Sequence, residues 1–425
     1  MNIERIAVGQ ITPAPWNPRV DLQPGDADYE KVRRSLDEFG CVEPLVWNRR
    51  TGNLVGGHQR LKVLLAQGQT EVEVSVVDLS PEKEKALNLA LNKAEGRWDE
   101  AKLAALLDEL VKFPDFDVAL TGFDPPEVEE LLARLAAEAL ADREETFDPD
   151  AVLADKGEPV TRRGEVVELG PHRLMCGDAT KRDDVAALMA GRQAHLVFTD
   201  PPYAVNYIGG RFGEAWRHKV RQDGERYWDH LSRQEYCALL RSALTHAHNF
   251  TDNKCPLYLW FASMRVREVL RALAVTKWRE RALLIWAKNT FAGSLSAQYK
   301  YAYEPFWYGH KRGQSPRWHG PTNEVTVWQC AKPQRNEGHP TVKPLELAER
   351  AIRNSSRPGQ TVLDLFLGSG TTLVAAAKMG RRCYGMEIEP RYCDVAIRRH
   401  IGFVGEGAVD AALAARYRRT QEEQR

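Results

Sequence analysis

The stretch Val362-Leu363-Asp364-Leu365-Phe366-Leu367-Gly368-Ser369-Gly370-Thr371-Thr372 constrains this chain more than any other. An apolar run of strand length enters a glycine turn and leaves as a helix, which defines a strand–turn–helix unit. Glycines in the turn let a ligand approach the backbone, and the free N–H groups of the helix start favour a carboxylate or phosphate. Many α/β proteins carry such a turn, so alone it is weak evidence. Glu387 strengthens it, standing nineteen positions after Gly368 at the end of the next expected strand. There an acidic side chain can accept hydrogen bonds from the ribose of an adenosine-containing cofactor. An incomplete Gly-x-Gly-x-x-Gly leaves a dinucleotide-binding dehydrogenase open. The absence of a Gly-Lys-Ser/Thr phosphate loop disfavours a nucleoside triphosphatase.

The same alternation of strand and helix patterns begins at Glu165 and runs to Ile401. Expected strands are Glu165 to Leu169, Arg173 to Cys176, Ala194 to Thr199, Pro256 to Phe261, Arg281 to Trp286, Glu304 to Tyr308, Gln360 to Phe366 and Arg382 to Met386. Helices are expected over Arg182 to Met189, Glu235 to Phe250, Met264 to Ala274, Leu345 to Ser355, Thr371 to Met379 and Tyr392 to Ile401. Such alternation predicts an α/β fold, an open and mostly parallel sheet with helices on both faces. Ligands of such sheets bind beyond the carboxyl ends of the strands, near the point where strand order reverses.

One strand of that series ends in Thr199-Asp200-Pro201-Pro202-Tyr203. Each proline restricts φ and offers no N–H, so the strand end is stiff and rich in acceptors: the Asp200 carboxylate and the carbonyls around Pro201 and Pro202. With the Tyr203 ring beside them, these groups suit a flat molecule bearing an amino group. Asp-Pro is also a common turn signal, and on this stretch alone the two readings weigh about equally.

The amino-terminal part differs. Tyr29 to Phe39 has helical spacing and stops at Gly40. Glu43 to Trp47 and Leu54-Val55 read as strands, and Gly56-Gly57-His58-Gln59-Arg60 opens a helix from Leu61 to Ala66. Two glycines before a helix start suit an anion, with Arg60 as a phosphate partner, though a tight turn with an exposed Arg explains the same spacing more economically. Helices are expected over Glu82 to Leu91, Glu100 to Val111 and Pro125 to Leu140. The acidic run Asp142 to Pro159 reads as a linker. The expected domains are therefore 1–98, a helical extension 99–141, a linker 142–164, a large domain 165–403 and a polar, helical tail 404–425.

Lys+Arg and Asp+Glu both number 59, so net charge predicts no polyanionic partner, and any basic face must be local. Arg211 to Asp229 (Trp216, Arg217, His218, Lys219, Arg221, Arg226, Tyr227, Trp228) and Gln298 to Arg335 (Lys311, Arg312, Arg317, Trp318, Arg335) mix basic and aromatic side chains. Such mixtures bind phosphates and stack on bases, although a solvated loop accounts equally well for any one residue. Seven cysteines without a C-x-x-C pair fit a reduced compartment with buried thiols and no metal site. No signal peptide or membrane span is expected, so the protein should be cytoplasmic.

Two resemblances emerge from these stretches. Asn17-Pro18-Arg19, the helix ending in Phe39-Gly40, Pro44-Leu45-Val46 and Val55-Gly56-Gly57-His58-Gln59-Arg60 resemble the small α+β amino-terminal domain of the ParB/sulfiredoxin superfamily, over Ile3 to Trp98. The resemblance implies nucleotide or nucleic-acid phosphate at Gly56, Gly57, His58 and Arg60. The loop lacks the catalytic Cys of sulfiredoxins, which argues against that chemistry.

Asp200-Pro201-Pro202-Tyr203, then His339-Pro340-Thr341-Val342-Lys343-Pro344, then Asp364 to Gly370 resemble the β group of amino-group DNA methyltransferases (N6-adenine and N4-cytosine), over Glu165 to His400. That resemblance implies a Rossmann-like sheet binding S-adenosyl-L-methionine. Asp364, Phe366, Gly368, Ser369, Gly370 and Thr371 would surround the cofactor, Glu387 would hold its ribose and Asp178 would sit near its adenine. His339, Thr341 and Lys343 would line the methionine end, and target recognition would fall within about 204–338. Asp200 and the Pro201 carbonyl would accept hydrogen bonds from the amine of a flipped base, Pro202 would stiffen the turn, and Tyr203 would stack on the base. Asp rather than Ser before Pro-Pro-Tyr leans toward adenine. Double-stranded DNA is the expected partner, with a second copy of the chain and a nucleotide at the amino-terminal loop both admitted. A methyltransferase acting on cytosine N4, on RNA or on a protein amide shares this chemistry, and a DNA- or nucleotide-binding protein with a vestigial methylase is the alternative outside enzymes.

Overall fold

A computed structural model describes residues 2–93, 98–153, 157–204, 231–292, 298–331 and 343–418 of the chain. Two compact units emerge, Met1–Leu135 and Ala136–Arg425.

The first unit is built on a five-stranded mixed sheet in the order β1-β5-β3-β4-β2. Its strands are β1 (Ile3–Ala7), β2 (Thr12–Pro13), β3 (Leu45–Asn48), β4 (Asn53–Gly56) and β5 (Glu71–Val77). Helices α1 (Ala27–Phe39), α2 (His58–Ala66), α3 (Pro81–Asn92), α4 (Glu100–Val111) and α5 (Pro125–Leu140) complete it. Three of these strands, β1, β2 and β5, were not expected. In β5, Glu71-Val72-Glu73-Val74 alternates exposed and buried with period two, which marks a half-buried strand, but the run is short and its neighbour β1 is remote in sequence. The sheet buries Leu45, Leu54, Leu61 and Val74, and a second cluster joins Leu89, Leu103, Leu107 and Val128. Helix α4 begins where expected because Asp99 caps it, its carboxylate accepting the Lys102 N–H at 3.1 Å.

The second unit carries a nine-stranded sheet in the order β12-β10-β11-β9-β8-β13-β14-β7-β6. These strands are β6 (Val166–Leu169), β7 (His172–Cys176), β8 (Leu196–Thr199), β9 (Pro256–Trp260), β10 (Trp278–Ala292), β11 (Tyr301–Lys311), β12 (Val327–Gln329), β13 (Thr361–Asp364) and β14 (Arg382–Glu387). Five of its eight pairings among the described residues are parallel, so the sheet is mostly parallel as expected. Its helices are α6 (Pro149–Leu153), α7 (Arg182–Met189), α8 (Arg233–Asn249), α9 (Val266–Val275), α10 (Leu345–Ser355), α11 (Thr371–Lys378), α12 (Pro390–Val404) and α13 (Ala411–Tyr417). Strands β10 and β11 run well past the expected segments, because the antiparallel ladder continues beyond the apolar run, with Trp278 opposite Lys311 at one end and Ala287 opposite Tyr303 at the other.

Beneath the strand ends lies an aromatic layer. Trp260 stacks on Phe306 with centroids 4.1 Å apart, and Phe198 meets Trp260 edge-on at 6.2 Å. Truncating one such fully buried ring to Ala costs about 3–5 kcal/mol.

The stretch read as a linker is docked onto this unit. Asp394 of α12 accepts the Val160 and Thr161 N–H groups at 2.7 and 2.9 Å, and Glu145 pairs with the buried Arg399. Helix α6 lies within it. The acidic composition that suggested a solvated linker supplies a counter-charge to α12.

Cys176, Cys255, Cys383 and Cys393 are buried, whereas Cys41 is exposed. Among the described residues no helix is long and apolar enough to cross a membrane.

Candidate active site

The sheet brings two remote turns together. Strands β8 and β13 are parallel neighbours, Leu196 opposite Val362 and Val197 opposite Leu363. Chain order runs outward from them in both directions, β8 to β9 on one side and β13 to β14 on the other. That is the reversal point at which open α/β sheets bind ligands. The turns after Thr199 and after Asp364 therefore emerge side by side.

Asp364 locks them. Its Oδ1 accepts the Thr199 hydroxyl at 2.8 Å and the Phe366 N–H at 3.1 Å, and its Oδ2 accepts the Thr372 hydroxyl at 2.6 Å. Burial pushes its carboxyl up to about 6, while those donors oppose the shift. With both oxygens engaged by the protein, Asp364 acts on the turn's shape.

Gly370 is the left-handed cap of α11 (φ +87°), and a Cβ there would stand 2.9 Å from Ala396 Cβ and 3.0 Å from Ala396 Cα. Glycine is what lets α11 pack this closely on α12. Gly368 also has positive φ (+55°), but a Cβ would meet nothing within 4 Å. Its bare face looks into open space. Its N–H donates to Glu387 Oε2 at 2.9 Å, and the Glu389 N–H donates to Glu387 Oε1 at 2.9 Å. Burial raises the Glu387 carboxyl to about 6, against those backbone donors. Buried Arg399 ties the helix start down, donating to the Ser369 carbonyl and the Thr371 hydroxyl, each at 3.1 Å.

A cavity of about 280 Å³ lies over this turn. It brings together Asp178, Asp200, Pro201, Pro202, Tyr203, Lys343, Asp364, Phe366, Gly368, Ser369, Thr371 and Glu387. Gly370 stands behind it against α12. Asp178 is held by its own turn, accepting the Thr180 N–H at 2.9 Å and hydroxyl at 2.7 Å. His339 and Thr341 lie outside the described residues, as do the stretch 211–229 and Arg335. Sequence reasoning missed Ile388 and Tyr392, and also Pro149 and Leu153 of α6, which line the cavity too. An apolar residue directly after the ribose-type acid was a usable signal for Ile388. Nothing local marked α6.

At the turn after β8, Lys343 Nζ lies 2.5 Å from Asp200 Oδ2, 3.1 Å from Glu304 Oε2 and 3.2 Å from the Tyr203 hydroxyl. Lys288 pairs with the other Glu304 oxygen. Glu304, at the start of an expected strand, belongs to the cluster around Asp200. Burial alone would raise Glu304, but Lys343 and Lys288 hold its carboxyl at about 2. Burial raises the Asp200 carboxyl, opposed by Lys343. Asp200 Oδ1 is buried, and among the described residues nothing hydrogen-bonds to it. An unpaired buried acceptor is costly unless a ligand completes it.

Of the basic side chains expected on a nucleic-acid face, two are engaged by the protein itself. Lys311 donates to the His248 and Thr251 carbonyls at 2.6 Å, and Arg317 pairs with Asp252 at 2.5 Å. In the first unit, Gly57 caps α2 in the left-handed region (φ +91°), following Gly56 at the end of β4. Arg60 is occupied by Glu43, whose carbonyl and carboxylate lie 2.7 and 2.9 Å from Nη1. Burial, reinforced by Arg19, lowers the His58 imidazole to about 4.

Comparison with known proteins agrees with this geometry. The DNA methylase family matches residues 194–398, and the ParB-methyltransferase HTH domain matches residues 101–163. The chain is 31% identical over 122 residues to the Type II methyltransferase M.BglII of Bacillus subtilis, covering 27% of this chain and 34% of that protein. It therefore spans about a third of that relative's length. It is 24% identical over 236 residues to the DNA adenine methyltransferase YhdJ of Escherichia coli (strain K12), covering 48% of this chain and 75% of that one. Among solved structures, the PvuII DNA methyltransferase (cytosine-N4-specific) superposes with a TM-score of 0.44 at 17% identity, covering 62% of this chain and 94% of the other.

Proposed function

We propose that this chain, whose residues 194–398 belong to the DNA methylase family, moves a methyl group from S-adenosyl-L-methionine to the exocyclic amine (N6) of an adenine flipped out of duplex DNA. One observation carries the reading: Asp200 presents a buried, unpaired carboxylate oxygen beside the glycine turn and Glu387.

The residues present fit the cofactor. The bare face of Gly368 leaves room for a ligand against the backbone, and Glu387 keeps lone pairs for ribose hydroxyls after accepting two N–H groups. Phe366 and Ile388 offer apolar faces to a purine, and Asp178 an acceptor for its amine. When bound, S-adenosyl-L-methionine supplies an electrophilic methyl carbon, so that an N–C bond forms as the S–C bond breaks and the electron pair stays on sulfur.

The protein prepares the nucleophile. The amine of adenine is poorly nucleophilic because its lone pair is delocalised into the ring. Hydrogen bonds from its two N–H groups to Asp200 Oδ1 and the Pro201 carbonyl favour a pyramidal nitrogen and stabilise the charge growing on it. Such preorganised acceptors contribute up to about 3 kcal/mol, and orientation supplies more. Pro202 keeps the turn rigid, and Tyr203 stacks on the flipped base. The proton shed by nitrogen passes to Asp200 Oδ1 and on to water.

The second reading is N4-cytosine methylation. Asp at the head of Pro-Pro-Tyr, and the adenine named for the Escherichia coli relative, favour adenine. The test is to incubate the protein with plasmid DNA and S-adenosyl-L-methionine, digest to nucleosides and identify the product by mass spectrometry. N6-methyladenine is expected, N4-methylcytosine would move the conclusion to the second reading, and no methylated base would overturn both. The first unit is read as a ParB-like module taking a nucleotide or DNA phosphate at Gly56–Arg60, within the domain limits set out above.

A further inference from the structure

We infer that Lys343, held between Asp200 and Glu304, is a positioning residue for methyl transfer: it pins one oxygen of the Asp200 carboxylate and leaves the other for the incoming amine. This rests on the methyltransferase reading and deepens it, since sequence resemblance placed Lys343 only at the methionine end of the cofactor.

The geometry is a charge chain. Asp200, Lys343, Glu304 and Lys288 follow one another in contact, two anions alternating with two cations, so the cluster is neutral as a whole. Lys343 is 7% exposed and lies 4.9 Å from the centroid of the Trp260 ring, so its charge acts where water screens little. Its three donors have three acceptors at hand: Asp200 Oδ2, Glu304 Oε2 and the Tyr203 hydroxyl. Asp200 Oδ2 is thereby taken, and Oδ1, buried and unpaired, is the acceptor left for substrate.

The charge matters as much as the contact. A buried carboxylate near a second carboxylate takes up a proton unless a cation stands between them. Protonated Asp200 could not accept from the amine as strongly, and the amine would lose its electrostatic partner. Every charged or titratable group facing Asp200 among the described residues bears on this balance. Glu304 comes from β11, Lys288 from β10, Asp364 from β13, the Tyr236 phenol from α8 and Tyr203 from its own turn. Among the described residues Lys343 is the one cation in direct contact with Asp200. Without it, the one cation left in the cluster among the described residues is Lys288, which touches Glu304.

Two substitutions then push in opposite directions. In Lys343→Met, Asp200 keeps its proton to higher pH. In Glu304→Gln, Lys343 serves Asp200 alone, and Asp200 loses its proton at lower pH. The test is the pH profile of kcat for methyl transfer to plasmid DNA by the full chain, wild type against Lys343→Met, Lys343→Arg and Glu304→Gln. Far-UV circular dichroism and thermal melting report on the fold of each variant. The acid limb of kcat should rise by at least about one pH unit in Lys343→Met, with rate falling roughly tenfold per pH unit below it. It should return toward wild type in Lys343→Arg and fall in Glu304→Gln. A uniform drop in kcat at every pH, with no limb displaced in any variant, would make Lys343 merely structural and overturn the inference. Should Lys343→Met not fold, the downward shift in Glu304→Gln decides alone, and its absence overturns the inference. A wild type that methylates no base would overturn the methyltransferase reading and this inference together, whereas a methylating wild type with immobile limbs overturns only this one.

Discussion

Lys343 Nζ sits 2.5 Å from Asp200 Oδ2, across 143 positions of sequence, and leaves Asp200 Oδ1 buried without a protein partner. The carboxylate is thereby divided between an oxygen held by the protein and one that the proposed mechanism assigns to the amine. Asp200→Asn keeps the shape and one oxygen but removes the charge, and its amide N–H₂ cannot accept from an amine. We expect kcat to fall by about 10²–10³ while the dissociation constant of S-adenosyl-L-methionine changes less than about threefold. Single-turnover transfer of labelled methyl together with calorimetry checks this, and unchanged turnover would sink the proposed role.

The proposed ribose contact of Glu387 should link cofactor binding to pH. Its buried carboxyl stands at about 6, and ribose hydroxyls bind the ionised form better. Cofactor affinity should therefore be level above about pH 7 and weaken as pH falls through 6, by up to roughly tenfold per pH unit. Asp364 titrates in the same range, so the assignment needs Glu387→Gln, which should bind weakly and lose most of the slope. A slope that survives in Glu387→Gln would point to Asp364 instead.

The two glycines of the turn should separate packing from binding. Gly370→Ala meets the backbone of Ala396 and a left-handed φ, so it should lower the stability of the second unit by about 1–3 kcal/mol. Gly368→Ala shares the left-handed φ (+55°) but meets no protein atom, and its added methyl projects into the cavity, so its melting temperature should fall less than that of Gly370→Ala and its cofactor affinity more. Differential scanning fluorimetry with and without S-adenosyl-L-methionine distinguishes the two, and equal effects from both would contradict it.

His172 and His400 meet edge-on at 4.9 Å in the core of the second unit. Burial lowers His400 to about 4 and His172 well below the ordinary imidazole range. Between pH 6.5 and 4 the unfolded chain thus binds protons that the folded one refuses, and stability falls as pH falls through that window. For His400 the loss is about 3 kcal/mol. Asp364 and Glu387, raised by burial, act in the opposite sense between about 4 and 6, so the wild-type curve alone does not isolate the histidines. His400→Gln should flatten the acid side of a urea-denaturation series relative to wild type. Parallel curves would exclude the effect.

Much of this was readable along the chain, because strand and helix periods, glycine turns and the Asp-Pro-Pro-Tyr stretch are local properties. The β8 and β13 strand ends, the Gly368–Gly370 turn, the acid at Glu387 and the largely parallel sheet needed nothing beyond neighbours in sequence. Where local signals were faint, the reading fell short. The alternating β5 was passed over, β10 and β11 were cut off where their apolar runs ended, and an acidic stretch read as a linker is docked on α12. Pairing and docking partners lie far away in sequence, and no local period reports them. Tertiary structure decided which groups meet. It set Thr199 against Asp364, placed α6 at the cavity wall, occupied Arg60 with Glu43, buried Lys311 and paired Arg317 with Asp252. It also strung Asp200, Lys343, Glu304 and Lys288 into one charge chain. Residue types alone specify what chemistry a side chain can do, but its charge state and free lone pairs depend on burial and on partners that only the folded chain supplies.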